Sequence, residues 1–196
     1  LGSVDKGSTN TDSMLLEKER GISIKASSTS FEWKGCKINL IDTPGHVDFS
    51  SEVARALCVV DTVILVVSAV EAVQSHTISI WDSLQELKIP TVVFINKIDR
   101  QGADTETVLM QLEQDLNAVP VSIYTSENDG LENACIRAVF NTNTDSNIKE
   151  KTLEHILDCD NVLLERYLNA EKITDDDYLN SIAKHTNNTT IVPVFC

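Results

Sequence analysis

The chain carries the run Thr91-Val92-Val93-Phe94-Ile95-Asn96-Lys97-Ile98-Asp99, in which an apolar, largely β-branched segment passes directly into a polar one. Short apolar segments of this kind are typical of strands buried in a parallel sheet. In parallel α/β sheets, ligands bind at the carboxyl ends of the strands. Asn96, Lys97 and Asp99 are therefore predicted to lie at a ligand-binding edge.

The segments around this run alternate between strand and helix patterns. Thr62-Val63-Ile64-Leu65-Val66-Val67 reads as a second buried strand, and helical patterns cover about 73–87 and 107–112. This alternation predicts parallel βαβ units. The fold class predicted is therefore α/β, with a mostly parallel sheet and helices on both faces.

Upstream, the sequence predicts a β-hairpin. Phe31 and Trp33 alternate with polar residues, Lys34-Gly35 forms a turn, and Lys37-Ile38-Asn39-Leu40-Ile41 forms a second strand that delivers Asp42. Ser50 and Ser51 then precede a helix predicted at 52–57.

The last third of the chain differs from the rest in its residue composition and in its pattern of predicted elements. A polar, turn-rich segment at 141–147 is followed by acidic helical patterns at 153–167 and 175–183, and Ile191-Val192-Pro193-Val194-Phe195 reads as a core strand despite its proline. We expect a core at 1–117, an inserted acidic subdomain at 118–187 and a returning core strand at 188–196.

Composition limits the function classes. The 196 residues are 42% hydrophobic, enough for one core with a smaller lobe, and carry a net charge of −14. That charge argues against a general grip on nucleic-acid phosphates. No apolar run reaches the length of a membrane span, and five cysteines without a Cys-x-x-Cys pair indicate a reducing compartment. We expect a cytoplasmic monomer that binds neither DNA nor a membrane.

The run Asp42-Thr43-Pro44-Gly45-His46 also follows a predicted strand. A carboxylate there can reach the water shell of Mg²⁺, and a glycine lets the backbone approach a γ-phosphate. An ordinary Thr-Pro-Gly turn is the alternative interpretation.

The run Asn96-Lys97-Ile98-Asp99 suits a different task. The carboxylate of Asp99 can accept both the ring N–H and the exocyclic amine of guanine, a pairing that adenine cannot offer. Asn96 would tie loops together and reach the purine edge, and the stem of Lys97 would lie across the ring. A solvated loop is the alternative. The spacing between the two runs fits two further helices and strands, which predicts both runs at one edge of one sheet.

Together these residues resemble the translational GTPases, and most closely the tetracycline-resistance ribosomal protection proteins related to elongation factor G. The resemblance covers most of the chain and is weaker in the final third. It is carried by Gly2-Ser3-Val4-Asp5-Lys6-Gly7, Thr11-Asp12, Glu19-Arg20-Gly21-Ile22-Ser23-Ile24, Ser30-Phe31-Glu32-Trp33, Ile41-Asp42-Thr43-Pro44-Gly45-His46 and Ile95-Asn96-Lys97-Ile98-Asp99.

The resemblance implies a P-loop NTPase-type GTPase domain that binds GTP or GDP with Mg²⁺. It assigns Ser23, where the family usually has Thr, and Asp42 to the metal. It assigns His46 to orienting the attacking water, and it includes Thr43 and Pro44 among the nucleotide-binding residues. The implied partner is the ribosome, through rRNA and the stalk protein, and the implied task is the release of tetracycline.

A phosphate-binding loop is not found within the chain. Residues 2–9 imitate Gly-x4-Gly-Lys-Ser/Thr, but Ser8 takes the place of the lysine and no strand precedes the run. The resemblance places the true loop upstream of Leu1, so we expect a domain incomplete at both ends that binds GTP poorly and does not hydrolyse it. Two alternatives stay open: a housekeeping elongation or release-factor GTPase, and a non-enzymatic module lacking the phosphate cradle.

Overall fold

The computed structural model describes residues 23–140 and 146–196. The chain divides into two compact units, Leu1–Val60 and Asp61–Cys196. The phosphate-loop imitation at 2–9 lies outside the described residues. None of the helices in the described parts is long and apolar enough to cross a membrane.

The first unit contains the predicted hairpin. Strands β1 (Ser27–Trp33) and β2 (Cys36–Asp42) pair antiparallel, so that Ser27 lies opposite Asp42. Lys34 and Gly35 connect them with φ values of 48° and 78°. Two positive φ angles match the twist that a two-residue hairpin turn needs, and glycine adopts such a value without strain. The hairpin prediction is confirmed.

A short 3₁₀ turn (Val47–Phe49) and helix α1 (Ser50–Leu57) complete the first unit. The helix begins at Ser50, two residues earlier than predicted. It buries Val53, Ala56 and Leu57 on one side.

The strands of the second unit are β3 (Val63–Ser68), β4 (Thr91–Asn96), β5 (Pro120–Ser122), β6 (Tyr124–Glu127), β7 (Cys135–Ala138) and β8 (Val192–Phe195). Four of them form a parallel sheet in the order β3-β4-β8-β5. The strands β6 and β7 form a separate antiparallel sheet, which the sequence pattern did not predict. The helices are α2 (Ser75–Leu87), α3 (Thr105–Gln114), α4 (Ser146–Cys159), α5 (Asn161–Leu168) and α6 (Asp175–Asn187). The predicted α/β class, with a mostly parallel sheet, is confirmed.

The sheet is less evenly buried than predicted. In β3 the side chains of Leu65 and Val67 are buried, whereas Ile64 and Val66 are exposed. Successive side chains of a strand point to opposite faces, and β3 is the end strand of the four. The prediction that β3 is a buried strand is therefore correct for the face with Leu65 and Val67 and wrong for the face with Ile64 and Val66.

Pro193 lies inside β8, between two paired neighbours. The N–H of Val192 donates to the carbonyl of Val119 at 2.9 Å, on the β5 side. Because N–H groups alternate in direction along a strand, the proline nitrogen faces β4, where it has no hydrogen to donate. Pairing with β4 starts at Val194, opposite Val93, whereas pairing with β5 starts at Val192. The proline is accommodated because it comes before the first pair between β8 and β4, so its missing N–H breaks no bond in that ladder.

The helical pattern predicted at 153–167 is two helices. α4 ends at Cys159 and α5 begins at Asn161, with Asp160 between them. The Asp160 carboxylate accepts hydrogen bonds from the N–H groups of Val162 and Leu163, both at 3.2 Å. Such N-capping satisfies donors that have no partner in the first helical turn.

The strand β5 falls inside the interval 118–187, which the sequence predicts to be an inserted subdomain. It pairs with β8 in the main sheet. Its residue Val121 packs in one apolar cluster with α4, α5 and α6, through Ile156, Leu163 and Ile182. The division into 1–117, 118–187 and 188–196 stays a prediction.

Candidate functional site

The first unit holds the run from Asp42 to His46. Asp42 is the last residue of β2 and is half-buried, as is Thr43, whereas the ring of Pro44 is fully buried. Gly45 is exposed, and apart from Gly45 itself and its two chain neighbours no heavy atom of the described residues lies within 4 Å of a Cβ built on it. Neither positive φ nor crowding by these residues requires glycine here. The residue type fits a backbone position that a ligand approaches closely.

His46 is held at the start of the 3₁₀ turn. Its Nδ1 accepts a hydrogen bond from the backbone N–H of Asp48 at 3.3 Å, and the Asp48 carboxylate lies 3.5 Å from the same nitrogen. In the neutral ring the proton therefore sits on Nε2. The side chain is 51% exposed, so it can meet a ligand or solvent without rearrangement of the core.

Ser23 and Asp42 are the predicted metal ligands. Ser23 is half-buried and lies four residues before Ser27, the strand partner of Asp42. A hydroxyl and a carboxylate are hard oxygen donors, and these are the ligands that Mg²⁺ takes from proteins. The donor set thus fits Mg²⁺, and the assignment stays a prediction.

The second unit holds the run from Asn96 to Asp99 at the carboxyl end of β4. The Asn96 side-chain oxygen accepts the N–H of Lys97 at 2.9 Å, and the Asn96 carbonyl accepts the N–H of Ala69 at 2.8 Å. Lys97 has a φ of 66°, and its carbonyl accepts the N–H of Arg100 at 3.1 Å. These bonds fix a tight turn that leaves the Asp99 side chain exposed.

Lys97 is placed by the turn that follows β3. Its Nζ lies 3.5 Å from a carboxylate oxygen of Glu71. The hydroxyl of Ser68 accepts the N–H groups of Val70 and Glu71, both at 3.2 Å. A hydrogen bond with Ser68, followed by the charge of Lys97, lowers the pKa of Glu71. The lowered pKa favours the ionised form of Glu71, which forms an exposed ion pair with Lys97 beside the turn.

The sequence pattern did not reveal a third segment in this unit, the turn Asn128-Asp129-Gly130. The N–H of Gly130 donates to the carbonyl of Ile98 at 2.8 Å. Asp129 accepts hydrogen bonds from the backbone N–H and the hydroxyl of Thr105, at 3.0 and 2.7 Å. Asn-Asp-Gly is a turn signal that could have located this segment, but nothing in the sequence tells which loop it supports.

The structure brings Asn96, Lys97 and Asp99 together on one turn, and it places Asp42 to His46 on consecutive positions of another unit. The prediction that both runs end strands of one parallel sheet is wrong for the described residues: Asp42 ends β2, which pairs antiparallel with β1 in a sheet of two strands, whereas Asn96 ends β4 in the four-stranded parallel sheet. His76, His155 and His185 lie on the helices α2, α4 and α6.

Comparison with known proteins gives a consistent assignment. The family model for the elongation factor Tu GTP-binding domain matches residues 2–196. The tetracycline resistance protein TetP of Clostridium perfringens is 39% identical over the whole chain. The oxytetracycline resistance protein of Streptomyces rimosus is 42% identical over the whole chain, and elongation factor G of Thermotoga neapolitana is 35% identical over the whole chain.

These curated relatives are much longer than this chain, which spans 29 to 32% of their length. A crystal structure of a protein from Thermus thermophilus superposes with a TM-score of 0.86 at 25% identity, covering 99% of this chain and 32% of that one. Family model, relatives and fold agree along the length of the chain. The chain therefore belongs to the elongation factor Tu GTP-binding domain family, as a translational GTPase domain related to tetracycline resistance proteins and elongation factor G.

Proposed function

We propose that the chain is the guanine-nucleotide-binding domain of a ribosome-associated GTPase that releases tetracycline from the ribosome. The observation that carries the proposal is the turn at the end of β4. The Asn96 side chain accepts the N–H of Lys97, and the Lys97 carbonyl accepts the N–H of Arg100. These bonds hold the backbone of the turn and leave the Asp99 carboxylate exposed. A fixed acceptor pair of this kind can receive the ring N–H and the amine of guanine together.

The other run supports hydrolysis. Ser23 and Asp42 supply oxygen donors for Mg²⁺, which would neutralise charge on the transferring phosphate. The N–H of Gly45 would bind the γ-phosphate, and His46 would orient the attacking water. Phosphoryl transfer depends mainly on positioning and charge stabilisation. We propose that the ribosome, through rRNA and the stalk protein, places His46 for this step.

The 196 residues contain no Gly-x4-Gly-Lys-Ser/Thr run. Such a loop holds the β- and γ-phosphates through backbone N–H groups and its lysine. These residues alone should therefore bind GTP weakly and show no measurable hydrolysis. Calorimetry that gave a micromolar dissociation constant for GTP would overturn this part of the proposal.

The base preference is the direct test of the proposal. The substitution Asp99→Asn replaces a double acceptor with a side chain that also donates, so it should exchange preference for guanine with preference for xanthine, whose C2 carries an oxygen. Saturation-transfer NMR detects such weak binding at millimolar GDP, XDP and ADP. Asp82→Asn, on the exposed side of α2, removes the same charge and should leave preference for GDP unchanged. A wild-type chain that bound GDP and ADP equally would refute the proposal.

A housekeeping elongation factor is the second candidate, because elongation factor G of Thermotoga neapolitana aligns over the whole chain. The two candidates separate in a translation assay with tetracycline present. A resistance factor restores translation and consumes GTP in a ribosome-dependent manner, whereas an elongation factor consumes GTP without lifting the inhibition.

A further inference from the structure

The turn Asn128-Asp129-Gly130 packs directly behind the loop that carries Asp99. The N–H of Gly130 donates to the Ile98 carbonyl at 2.8 Å. A Cβ built on Gly130 would lie 3.5 Å from the nitrogen of Gly102 and 3.6 Å from the carbonyl oxygen of Arg100. Gly130 also has a φ of 78°, which disfavours any other residue. Glycine thus lets the two backbones meet at this point.

Asp129 anchors the same turn to the start of α3. One carboxylate oxygen accepts both the N–H and the hydroxyl of Thr105, which is 7% exposed. The Thr105 oxygen also lies 2.7 Å from the Ser126 hydroxyl. Because the Thr105 hydrogen is used by Asp129, Ser126 donates the second bond. A chain of three side chains therefore ties β6, the turn and α3 together.

The other oxygen of Asp129, Oδ1, is buried and has no hydrogen-bond partner among the described residues. A desolvated, unpaired carboxylate oxygen is costly. An asparagine at this position could accept the hydrogen bonds from Thr105 at the start of α3 without burying a charge. The acidic residue suits a stronger attachment, because charged acceptors form shorter and stronger hydrogen bonds.

We propose that Asp129 and Gly130 are positioning residues for base recognition: they hold the backbone at Ile98 so that the Asp99 carboxylate stays aimed at guanine. The inference rests on the proposed function and adds a supporting element to it. The turn comes about 30 residues after Asp99, inside the interval 118–187. A segment outside the recognition run thereby sets the selectivity of that run.

The test compares GDP with IDP, whose base lacks the exocyclic amine that Asp99 would bind. Dissociation constants are measured by saturation-transfer NMR on the complete 196-residue chain, with ADP as reference. In Asp129→Ala the preference for GDP over IDP should fall by roughly fivefold or more, since selectivity of this kind depends on the placement of a buried or oriented acceptor. Thr105→Val removes the hydroxyl bonds to Asp129 and Ser126 but keeps the backbone N–H that donates to Asp129, so it should cause a smaller loss, and Thr105→Ser should give the wild-type ratio.

Thr174→Val is the matched control, because Thr174 accepts a hydrogen bond from the N–H of Asp177 at the start of α6. It should lower the free energy of unfolding without altering the ratio. A wild-type ratio in folded Asp129→Ala and Thr105→Val would overturn the positioning role while leaving the proposed function standing. If Asp129→Ala did not fold, the result for Thr105→Val would decide. A wild-type chain without preference for GDP over ADP would instead remove the proposed function, and this inference with it.

Discussion

The hydroxyl of Ser181 donates a hydrogen bond to the carboxylate of Asp160 at 2.8 Å, joining the start of α5 to the middle of α6. His185 and Lys184 approach the same oxygen to 3.3 and 3.6 Å. Burial acts to raise the pKa of Asp160, but the hydrogen bonds from Ser181 and Leu163 prevail and hold that pKa below its usual value. One carboxylate thus caps α5 and connects it to α6.

Replacing Asp160 should be among the more costly polar substitutions in the second unit. Asp160→Ala removes the cap of α5 and leaves the hydroxyl of Ser181 without its acceptor, so we expect a loss of about 2 to 4 kcal/mol in the free energy of unfolding. Asp104→Ala removes an exposed cap from α3 and should cost only about 1 kcal/mol. Urea denaturation measures both. Equal losses would show that the links to Ser181 and His185 contribute nothing.

Stability should fall in acid because of two carboxylates. Hydrogen bonds from Arg166 and Thr174 lower the pKa of Asp177, and the pKa of Asp160 is lowered as well. A pKa that is lower in the folded state stabilises the fold above the unfolded value of about 3.9, and this contribution disappears as the pH falls toward the folded value. Unfolding free energy should therefore decline below about pH 4. The variant Asp177→Asn should show a shallower decline, and an unchanged slope would contradict the assignment.

The hairpin turn offers a stabilising substitution. Lys34 has a φ of 48°, a region that asparagine tolerates better than lysine, and Asn-Gly is the preferred pair for this turn. Lys34→Asn should raise stability by about 0.5 to 1 kcal/mol. Thermal unfolding reports the change, and Lys37→Asn, on the extended backbone of β2, serves as control. A gain of equal size in Lys37→Asn would mean that the turn conformation is not the cause.

His46 should matter for turnover rather than for nucleotide affinity. In ribosome-stimulated hydrolysis by the longest natural form of the protein, His46→Ala should lower the rate by about 10² to 10⁴ while GDP binding is retained, because a residue that positions water acts in the transition state. His76→Gln, on α2 and outside both runs, should keep the wild-type rate. Retention of the wild-type rate by His46→Ala would remove the histidine from the mechanism.

Several strands were predictable from sequence because they are apolar or border turns with strong local signals. Thr91–Asn96 stands out through its β-branched residues, and Lys34-Gly35 marks the hairpin. Strand β5 was not anticipated, because Pro120–Ser122 is short and opens with a proline. The break at Asp160 was not anticipated either: its carboxylate caps α5 locally, but the contacts with Ser181 and His185 join residues that are distant in sequence.

The residues that we propose for base recognition were predictable as residue types, but the contacts that support them were not. Asn96 and Asp99 follow a strand with recognisable spacing, so their location needed no structure. The bonds from Gly130 to Ile98 and from Thr105 to Asp129 join positions more than 20 residues apart. No periodicity or short motif encodes such pairings, because they arise only when the helix between them has folded back.

Because of Pro193, the hydrogen bonding between β4 and β8 differs between the two ends of the paired segment. With no N–H to share, the amino-terminal end of this junction can part from β4 without rupture of any hydrogen bond donated by residue 193. The bonded portion, from Val194 onward, lies toward the carboxyl end of β4. Local separation of β4 from β8 should therefore start at the end of β4 that is distant from Asn96. The end that carries the turn from Asn96 to Asp99 should separate last. Amide hydrogen exchange should be faster at Thr91 than at Ile95, because the N–H groups of both residues face β8 and only Ile95 lies at the bonded end of the junction.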